Sequence, residues 1–311
     1  MTAERSRLTR GAAYASISVA VILVSLKSWA TWLTGSVAML GSLADSALDL
    51  VASIATLVGV WVAAQPADEN HRFGHGKAEA VAALVQLILI TLSAFGIAIR
   101  STTALIDGTR VSAPAEGMTV SVVAIVLTFA LLAWQRYVIA RTRSVAINTD
   151  HVHYQSDLLL NLSVIAALAL DAWFGFALAD PLFGFGIAAW LAYGAWRASK
   201  EVVAQLMDEE WPEEKRRAFV ERAALHPELA NLHDLRTRTS GAHDFVQFHV
   251  DLPGQLTVTQ AHDILEKVEE DLCREFPGTE ILIHIDPEGH VDDPGNSLVE
   301  QDEFARLKED E

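Results

Sequence analysis

Long apolar segments alternate with short polar connectors over the first two thirds of the chain. A helix needs about 20 apolar residues to cross the hydrocarbon core of a membrane, because each residue adds about 1.5 Å of length. Six segments satisfy this requirement: Ala12–Leu33, Val37–Ala64, Ala80–Leu105, Met118–Ala140, Ile147–Phe174 and Leu182–Leu206. The pattern therefore predicts an all-α, six-helix transmembrane domain over residues 1–206.

The pattern changes after residue 206, where apolar runs become short and polar residues frequent. Helical spacing covers Glu213–Leu225 and Val258–Phe276, and strand-like segments cover Leu235–Thr239, Phe245–Leu252 and Glu280–Ile285. This order predicts a small α+β domain of the type αββαβ over residues 207–290. Residues 291–311 are acidic with few large apolar side chains, which predicts a flexible tail.

Composition and charge separate the same two parts. Hydrophobic residues make up 51% of the 311 residues, an excess typical of membrane proteins. Residues 1–206 hold 13 acidic and 13 basic side chains, whereas residues 207–311 hold 27 and 10, so the net charge of -17 lies in the last third. This argues against a nucleic-acid partner, which requires a basic face. The single cysteine, Cys273, excludes an intramolecular disulfide.

Basic residues indicate how the chain is oriented. They cluster before the first predicted helix and in alternate connectors: Arg5, Arg7 and Arg10; Arg72 and Lys77; Arg136, Arg141 and Arg143; Arg197 and Lys200. The positive-inside rule places this side in the cytoplasm. With six crossings, both termini and the α+β domain are expected there too. The first apolar run is too long for a signal peptide and lacks a cleavage pattern, so we expect it to stay in the mature protein.

Two predicted helices carry ionisable side chains where a membrane disfavours them. Asp45 and Asp49 lie four residues apart in the second helix, and His153 and Asp157 repeat this spacing in the fifth. Residues i and i+4 share one helical face. A carboxylate without a partner in a membrane costs several kcal/mol, which favours a binding role. Three carboxylates and one imidazole suit Zn²⁺, and also Cd²⁺, Fe²⁺ or Co²⁺. A hydrogen-bonded pair between helices remains the alternative.

Two further clusters involve histidines outside the predicted helices of the membrane. Asp68, His71 and His75 lie three and four residues apart after the second helix, where a turn would gather them, although a polar loop with two histidines is more often only solvated. The third cluster belongs to the α+β domain: His233, His249, His262, His284 and Asp286. Strands of one small sheet bring such distant positions together, and a carboxylate is able to bridge two ions.

Five segments together resemble a known family: TGSVAMLGSLADSALDL, QPADENHRFGHGKAEA, HVHYQSDLLLN, HDLRTRTSG and IHIDP. On these motifs the chain resembles the cation diffusion facilitators, in particular the bacterial ferrous-iron and zinc efflux type. The resemblance implies a membrane domain joined to a metallochaperone-like cytoplasmic domain, a homodimer in the bacterial inner membrane, and exchange of metal for protons.

The resemblance also assigns the candidate residues to sites. It implies a transport site at Asp45, Asp49, His153 and Asp157, and a loop site at Asp68, His71 and His75. A binuclear cytoplasmic site falls on His233, His249, His262, His284 and Asp286, where Asp286 bridges the two ions. Ile285 departs from relatives that carry glutamine, so only its backbone is available as a ligand.

These observations predict a proton-coupled exporter of divalent transition metals, with Zn²⁺ foremost and Cd²⁺ or Fe²⁺ as further substrates. Its partners are metal ions, protons and membrane lipid. A passive cation channel with a cytoplasmic sensor is the main alternative. A metalloenzyme is disfavoured because the chain lacks HExxH, GxSxG and a phosphate-binding glycine-rich loop, so we expect no enzymatic activity. Six spans also argue against a purely regulatory metal-binding protein.

Overall fold

The computed structural model of the chain describes residues 2–34, 37–107, 115–176, 178–289 and 302–309. Among these residues, six long helices come first: α1 (Thr2–Thr34), α2 (Val37–Ala63), α3 (Ala78–Asp107), α4 (Ala115–Thr142), α5 (Val145–Phe174) and α6 (Ala179–Leu206). They contain between 27 and 33 residues each. At a rise of about 1.5 Å per residue, every one exceeds the thickness of a hydrocarbon core of about 30 Å.

Four of these helices are also apolar enough to cross a membrane, judged on the described residues. The qualifying segments are Glu4–Leu33, Asp45–Ala63, Ala78–Asp107 and Val122–Thr142. The two remaining helices have the length but a more polar sequence: α5 begins with VAINTDHVHYQSD, and α6 carries Arg197, Lys200 and Glu201 near its end. A helical membrane domain is thus confirmed, whereas the crossing of α5 and α6 stays a prediction.

Small residues allow the helices to pack closely. The buried residues of one cluster come from α1, α2, α4 and α5: Ala12, Ala13, Val60, Val138, Ala146 and Ile147. Small side chains are favoured between membrane helices because they let the backbones approach each other. One close approach joins α2 and α3, where a Cβ atom added to Gly59 would overlap the Cβ of Ala82. Glycine at position 59 is therefore required by the packing of α3 against α2.

This contact can be tested with two matched glycine substitutions. Alanine in a helix interior is normally favoured over glycine by about 0.5–1 kcal/mol. Gly96 of α3 has no atom within 4 Å of an added Cβ, so we expect Gly96→Ala to maintain or raise the melting temperature of the detergent-solubilised protein. Gly59→Ala should lower it, because overpacking costs about 1–3 kcal/mol. Equal shifts for both variants would contradict the close approach of α2 and α3.

The chain divides into two compact units, Ala3–Val203 and a second that contains Ala204–Glu311. The change in the pattern of apolar and polar residues predicts this division three residues later, after residue 206. The second unit contains α7 (Glu213–Ala223), β1 (Ala230–Ser240), β2 (His243–Leu252), α8 (Val258–Glu275), β3 (Thr279–Pro287) and α9 (Glu303–Glu309).

A three-stranded sheet forms the centre of the second unit, with strand order β1-β2-β3. Strands β1 and β2 pair antiparallel across a short turn, and β2 and β3 pair parallel. A parallel pair needs a crossover connection, which α8 supplies. Its N-terminus is fixed by a capping box between Thr257 and Gln260. The expected order αββαβ is therefore confirmed, with β1 extending several residues before the predicted strand.

The core of this unit lies between the sheet and its helices. Phe219 of α7, Phe248 of β2 and Leu272 of α8 are all buried in it. The ring of Phe219 contacts that of Phe248 edge-on, with centroids 5.8 Å apart. Alternation along β2 sends Phe248 and Val250 into the core and leaves His249 on the opposite face. This alternation presents histidines on one face of the sheet.

The structure differs from the expected flexible tail over its last described part. Residues 303–309 form α9, in which Phe304 and Leu307 pack against the core of the second unit. Glu303 is buried and forms an ion pair with Arg216 of α7. The spacing of Phe304 and Leu307 is helical, but the acidic composition around them suggested disorder instead. Residues 290–301, 310 and 311, also assigned to the tail or its border, lie outside the described residues.

Candidate metal centres

Three of the four candidate transport residues converge between α2 and α5. His153 Nε2 lies 3.0 Å from Asp49 Oδ1 and 4.0 Å from Asp157 Oδ2. Each of the three side chains offers a ligand atom within 4.8 Å of the others, and all three are largely shielded from solvent. One imidazole nitrogen and two carboxylate oxygens at these separations are able to bind one divalent cation.

Asp45 lies one helical turn before Asp49 but does not join this cluster. Its side chain is 67% exposed, and its Oδ2 lies 4.0 Å from Nη1 of Arg100 on α3. Sequence reasoning did not identify Arg100 as a neighbour, because separation along the chain gives no information on which side chain of α3 faces α2. Both partners are exposed, so this ion pair contributes little to stability.

Asp150 is a buried carboxylate whose environment the sequence did not reveal. It lies one turn before His153, near the predicted cytoplasmic end of the helix. In the structure it has no accessible surface. Its carboxylate accepts hydrogen bonds from Ser16 Oγ at 2.6 Å, Gln86 Nε2 at 2.8 Å and Gln135 Nε2 at 2.7 Å. These neutral donors connect α5 to α1, α3 and α4.

Lys27 of α1 forms a second polar connection in the helical unit. Its Nζ donates to Ser46 Oγ at 2.6 Å and to the backbone carbonyl of Ser42 at 3.2 Å. Both acceptors belong to α2, close to Asp45 and Asp49. The ammonium group is thus held by α2, which joins the first two helices beside the candidate transport residues.

The loop between α2 and α3 gathers its three candidate residues. Asp68 Oδ1 lies 3.2 Å from His71 Nδ1, and Asp68 Oδ2 lies 3.3 Å from His75 Nε2. The other nitrogen of His75, Nδ1, lies 3.2 Å from the backbone carbonyl of Pro66. Because a carbonyl only accepts hydrogen bonds, this contact favours a proton on Nδ1, and in the neutral ring Nε2 then keeps its lone pair on the side of Asp68.

Backbone donors hold Asp68 in its ionised form. The backbone N–H of His71 donates to Asp68 Oδ1 at 2.7 Å, and that of Asn70 donates at 2.9 Å. The hydrogen bond from His71 and then that from Asn70 lower the pKa of Asp68 below its ordinary value. The carboxylate is therefore charged and ready to bind a cation, although Asp68 and His71 are both exposed.

Strand register produces the third cluster. His233 of β1 pairs with His249 of β2, which pairs in turn with His284 of β3, so three histidines form a row across the sheet. Asp286 follows His284 by two residues and projects to the same face. His249 Nδ1 lies 2.9 Å and His233 Nε2 lies 3.6 Å from Asp286 Oδ2. Two nitrogens and one oxygen form a suitable partial ligand set for zinc.

The remaining cytoplasmic candidates lie at the edge of this cluster or outside it. His284 Nε2 lies 3.7 Å from Asp286 Oδ1, and the ring of His284 lies against that of His249 with centroids 4.5 Å apart. His262 is exposed on α8, and it is not among the described side chains that meet within 4.8 Å. Ile285 is partly exposed, and strand alternation directs its side chain away from the face that carries His284 and Asp286.

Comparison with known proteins identifies the family of the chain. The profile of the cation efflux transmembrane domain matches residues 13–207, and that of the cation efflux protein cytoplasmic domain matches residues 211–288. The cation-efflux pump FieF of Cronobacter sakazakii (strain ATCC BAA-894) is 42% identical over 287 residues, which cover 92% of this chain and 95% of that protein. FieF of Escherichia coli (strain K12 / DH10B) is 40% identical over the same length and coverage.

A solved structure of CzrB in its zinc form is 34% identical, covers 28% of this chain and 99% of that chain, and has a TM-score of 0.25. The curated relatives named above are efflux pumps, so the expectation that the chain is not an enzyme is confirmed. Since the transmembrane profile alone spans more than half of its residues, the chain belongs to the cation efflux family of membrane transporters.

Proposed function

We propose that this chain is a proton-coupled antiporter that exports divalent transition-metal cations, Zn²⁺ foremost, from the cytoplasm. The observation that supports the proposal most directly is the convergence of Asp49, His153 and Asp157 from two helices of the membrane domain. Carboxylates at membrane depth are costly unless they bind a partner. A travelling divalent cation is the partner that satisfies two carboxylates and an imidazole at once.

Asp45 completes this site in our proposal. It shares a helical face with Asp49, and its present contact with Arg100 is an exposed ion pair. Such pairs contribute about 0–1 kcal/mol, so turning the Asp45 carboxylate towards the cluster costs little. The resulting set of three oxygens and one nitrogen suits tetrahedral Zn²⁺. It also accommodates Cd²⁺ and Fe²⁺, because imidazole and carboxylate ligands bind several divalent transition metals.

Proton coupling follows from the chemistry of the same ligands. A carboxylate or an imidazole binds either a proton or a metal ion through the same lone pair, so the two cations compete for the site. Near-neutral cytoplasmic pH favours the metal-bound form. A more acidic exterior protonates the ligands and releases the ion. Each cycle then moves metal outwards and protons inwards.

The membrane arrangement in this proposal uses all six long helices. The polar residues of α5 are accommodated because they face the interior of the helical bundle, where His153 and Asp150 are buried. Intramembrane ionisable residues commonly face such an interior. We place the protein in the bacterial inner membrane, with lipid around the helices and both termini in the cytoplasm, as the distribution of basic residues predicts.

The second unit acts in this proposal as a cytoplasmic metal-binding domain of a homodimer. Asp286 presents Oδ2 to His233 and His249 and Oδ1 to His284. A carboxylate with separate partners at its two oxygens is suited to bridging two ions. One zinc ion would be held by His233, His249 and Asp286, and a second by Asp286, His284 and His262. The loop residues Asp68, His71 and His75 would bind a further cation.

The first prediction concerns the two carboxylates of the transport site. In proteoliposomes that contain a zinc-sensitive dye, Asp49→Asn and Asp157→Asn should each reduce zinc uptake at least about tenfold, since even residues that only support metal ligands contribute 10–100-fold. Asp107→Asn is the matched control, because Asp107 is an exposed acid at the end of α3. Uptake by the control should stay within about twofold of the unchanged protein. Normal uptake by both site variants would contradict the proposed site.

The second prediction separates an antiporter from a passive channel. Zinc added outside vesicles with an acidic lumen should enter faster than without a pH gradient, and the lumen should become more alkaline as zinc enters. An ionophore that collapses the pH gradient should remove the acceleration. Internal pH is read with a pH-sensitive dye alongside the zinc dye. Zinc entry without proton movement, together with single-channel currents in a bilayer, would instead establish the channel.

A further inference from the structure

The backbone on both sides of His233 adopts an unusual conformation. Asn231 and Asp234 have φ angles of 48° and 51°, in the left-handed region that non-glycine residues rarely occupy. The pairing of β1 with β2 shifts register between Ala230 and His233 and again between His233 and Arg236. Asparagine and aspartate tolerate this region best among non-glycine residues. The segment NLHD thus turns locally out of regular strand geometry around a candidate ligand.

The first of these two residues fixes the ring of His233. His233 Nδ1 lies 2.6 Å from the backbone carbonyl of Asn231. A carbonyl accepts and never donates, so the proton of the neutral imidazole resides on Nδ1. Nε2 then has a free lone pair, and it is this atom that faces Asp286 Oδ2 at 3.6 Å.

The second residue lies behind the ring of His249. His249 turns Nδ1 towards Asp286, and its opposite nitrogen, Nε2, lies 3.8 Å from Asp234 Oδ2. The Asp234 carboxylate is largely buried and is fixed by Arg236 Nη2, which donates to Oδ1 at 3.1 Å and to Oδ2 at 2.9 Å. The imidazole of His249 is therefore flanked by two carboxylates on opposite sides.

We propose that Asn231 and Asp234 are positioning residues of the cytoplasmic metal site, each acting through one histidine. The Asn231 carbonyl presents Nε2 of His233 to the ion. The Asp234 carboxylate, 3.8 Å from Nε2 of His249, electrostatically favours the tautomer that carries its proton on Nε2 and binds a cation through Nδ1. A carboxylate or carbonyl behind a ligating imidazole fixes its orientation and raises its basicity. The inference rests on the proposed cytoplasmic site but is independent of transport through the membrane domain.

Zinc affinity of the full-length protein tests the role of Asp234. The background carries Asp49→Asn and Asp68→Asn, so that the cytoplasmic site dominates a competition titration against a chromogenic chelator. We expect Asp234→Ala to weaken zinc binding about 10–100-fold, and Asp234→Asn to weaken it less because the amide keeps a partly negative oxygen beside Nε2 of His249. Glu270→Gln, an exposed acid of α8, is the control and should stay within about twofold. An unchanged affinity for Asp234→Ala would overturn the inference.

A double-mutant cycle distinguishes positioning from general support of the fold. If Asp234 acts through His249, then Asp234→Ala should have no further effect on zinc affinity in a protein that carries His249→Ala. An equal loss in both backgrounds would overturn the proposal and indicate a structural role for Asp234. If His249→Ala alone leaves zinc affinity unchanged, the proposed cytoplasmic site itself fails. Melting temperatures without zinc show whether each variant is folded.

Position 231 provides an independent pair of variants. Asn231→Gly retains access to the left-handed conformation, so the carbonyl remains behind His233 and zinc affinity should stay within about threefold. Asn231→Val introduces a β-branched side chain that disfavours this conformation, and we expect a loss of about tenfold or more. Equal affinities for the glycine and valine variants would overturn the role assigned to the Asn231 carbonyl.

Discussion

A carboxylate that leaves water needs either hydrogen-bond donors or a cation to offset its lost hydration. The helical unit contains both arrangements, the first at Asp150 of α5 and the second around His153, three residues later. Asp150 accepts hydrogen bonds from three neutral side chains of three other helices. Asp49 and Asp157 face one imidazole instead, at 3.0 Å and 4.0 Å from His153 Nε2. The donors at Asp150 join helices together, whereas the set around His153 has the composition and spacing of an ion site.

In both the loop cluster and the cytoplasmic cluster, a backbone carbonyl orients the ring of one histidine. His75 directs Nδ1 at the carbonyl of Pro66, and His233 directs Nδ1 at the carbonyl of Asn231. In both cases a backbone carbonyl contacts Nδ1, and Nε2 on the other side of the ring faces a carboxylate. A loop and a distorted strand reach the same result, because each places a carbonyl on the side of the imidazole opposite the acid. The orientation of each histidine ring thus depends on the geometry of the nearby backbone as well as on the presence of a histidine.

Local periodicity explains which parts could be predicted from the sequence. The spacing of His153 and Asp157 places both on one helical face, and alternation in β3 places His284 and Asp286 on one face of the sheet. These two pairs could therefore be predicted from the sequence. Contacts between distant elements were not. The burial of Asp150 depends on Gln86 and Gln135, which helical spacing alone cannot orient towards α5. The presence of two glutamines inside apolar segments was the only feature of the sequence that could have indicated a buried polar partner.

Sequence also failed where charge and packing oppose each other. Acidic composition concealed the apolar pair Phe304 and Leu307 that fixes α9. Similarly, a strand pattern that begins at Leu235 misses the irregular start of β1, because left-handed residues and register shifts interrupt the alternation on which strand prediction depends. The residues behind His233 and His249 lie in that interrupted segment.

The two principal clusters differ in ligand chemistry in a way that suits different roles. The helical cluster is rich in carboxylates, and the cytoplasmic cluster combines two imidazole nitrogens with one oxygen. Imidazole nitrogens suit borderline ions such as zinc, whereas carboxylate oxygens also suit harder divalent cations. In the proposed function the helical cluster must release its ion in every cycle, so modest affinity and ready exchange with protons would be advantages there. A resident site, as proposed for the cytoplasmic cluster, would gain instead from fixed imidazoles, and the carbonyl of Asn231 and the carboxylate of Asp234 lie beside those of His233 and His249.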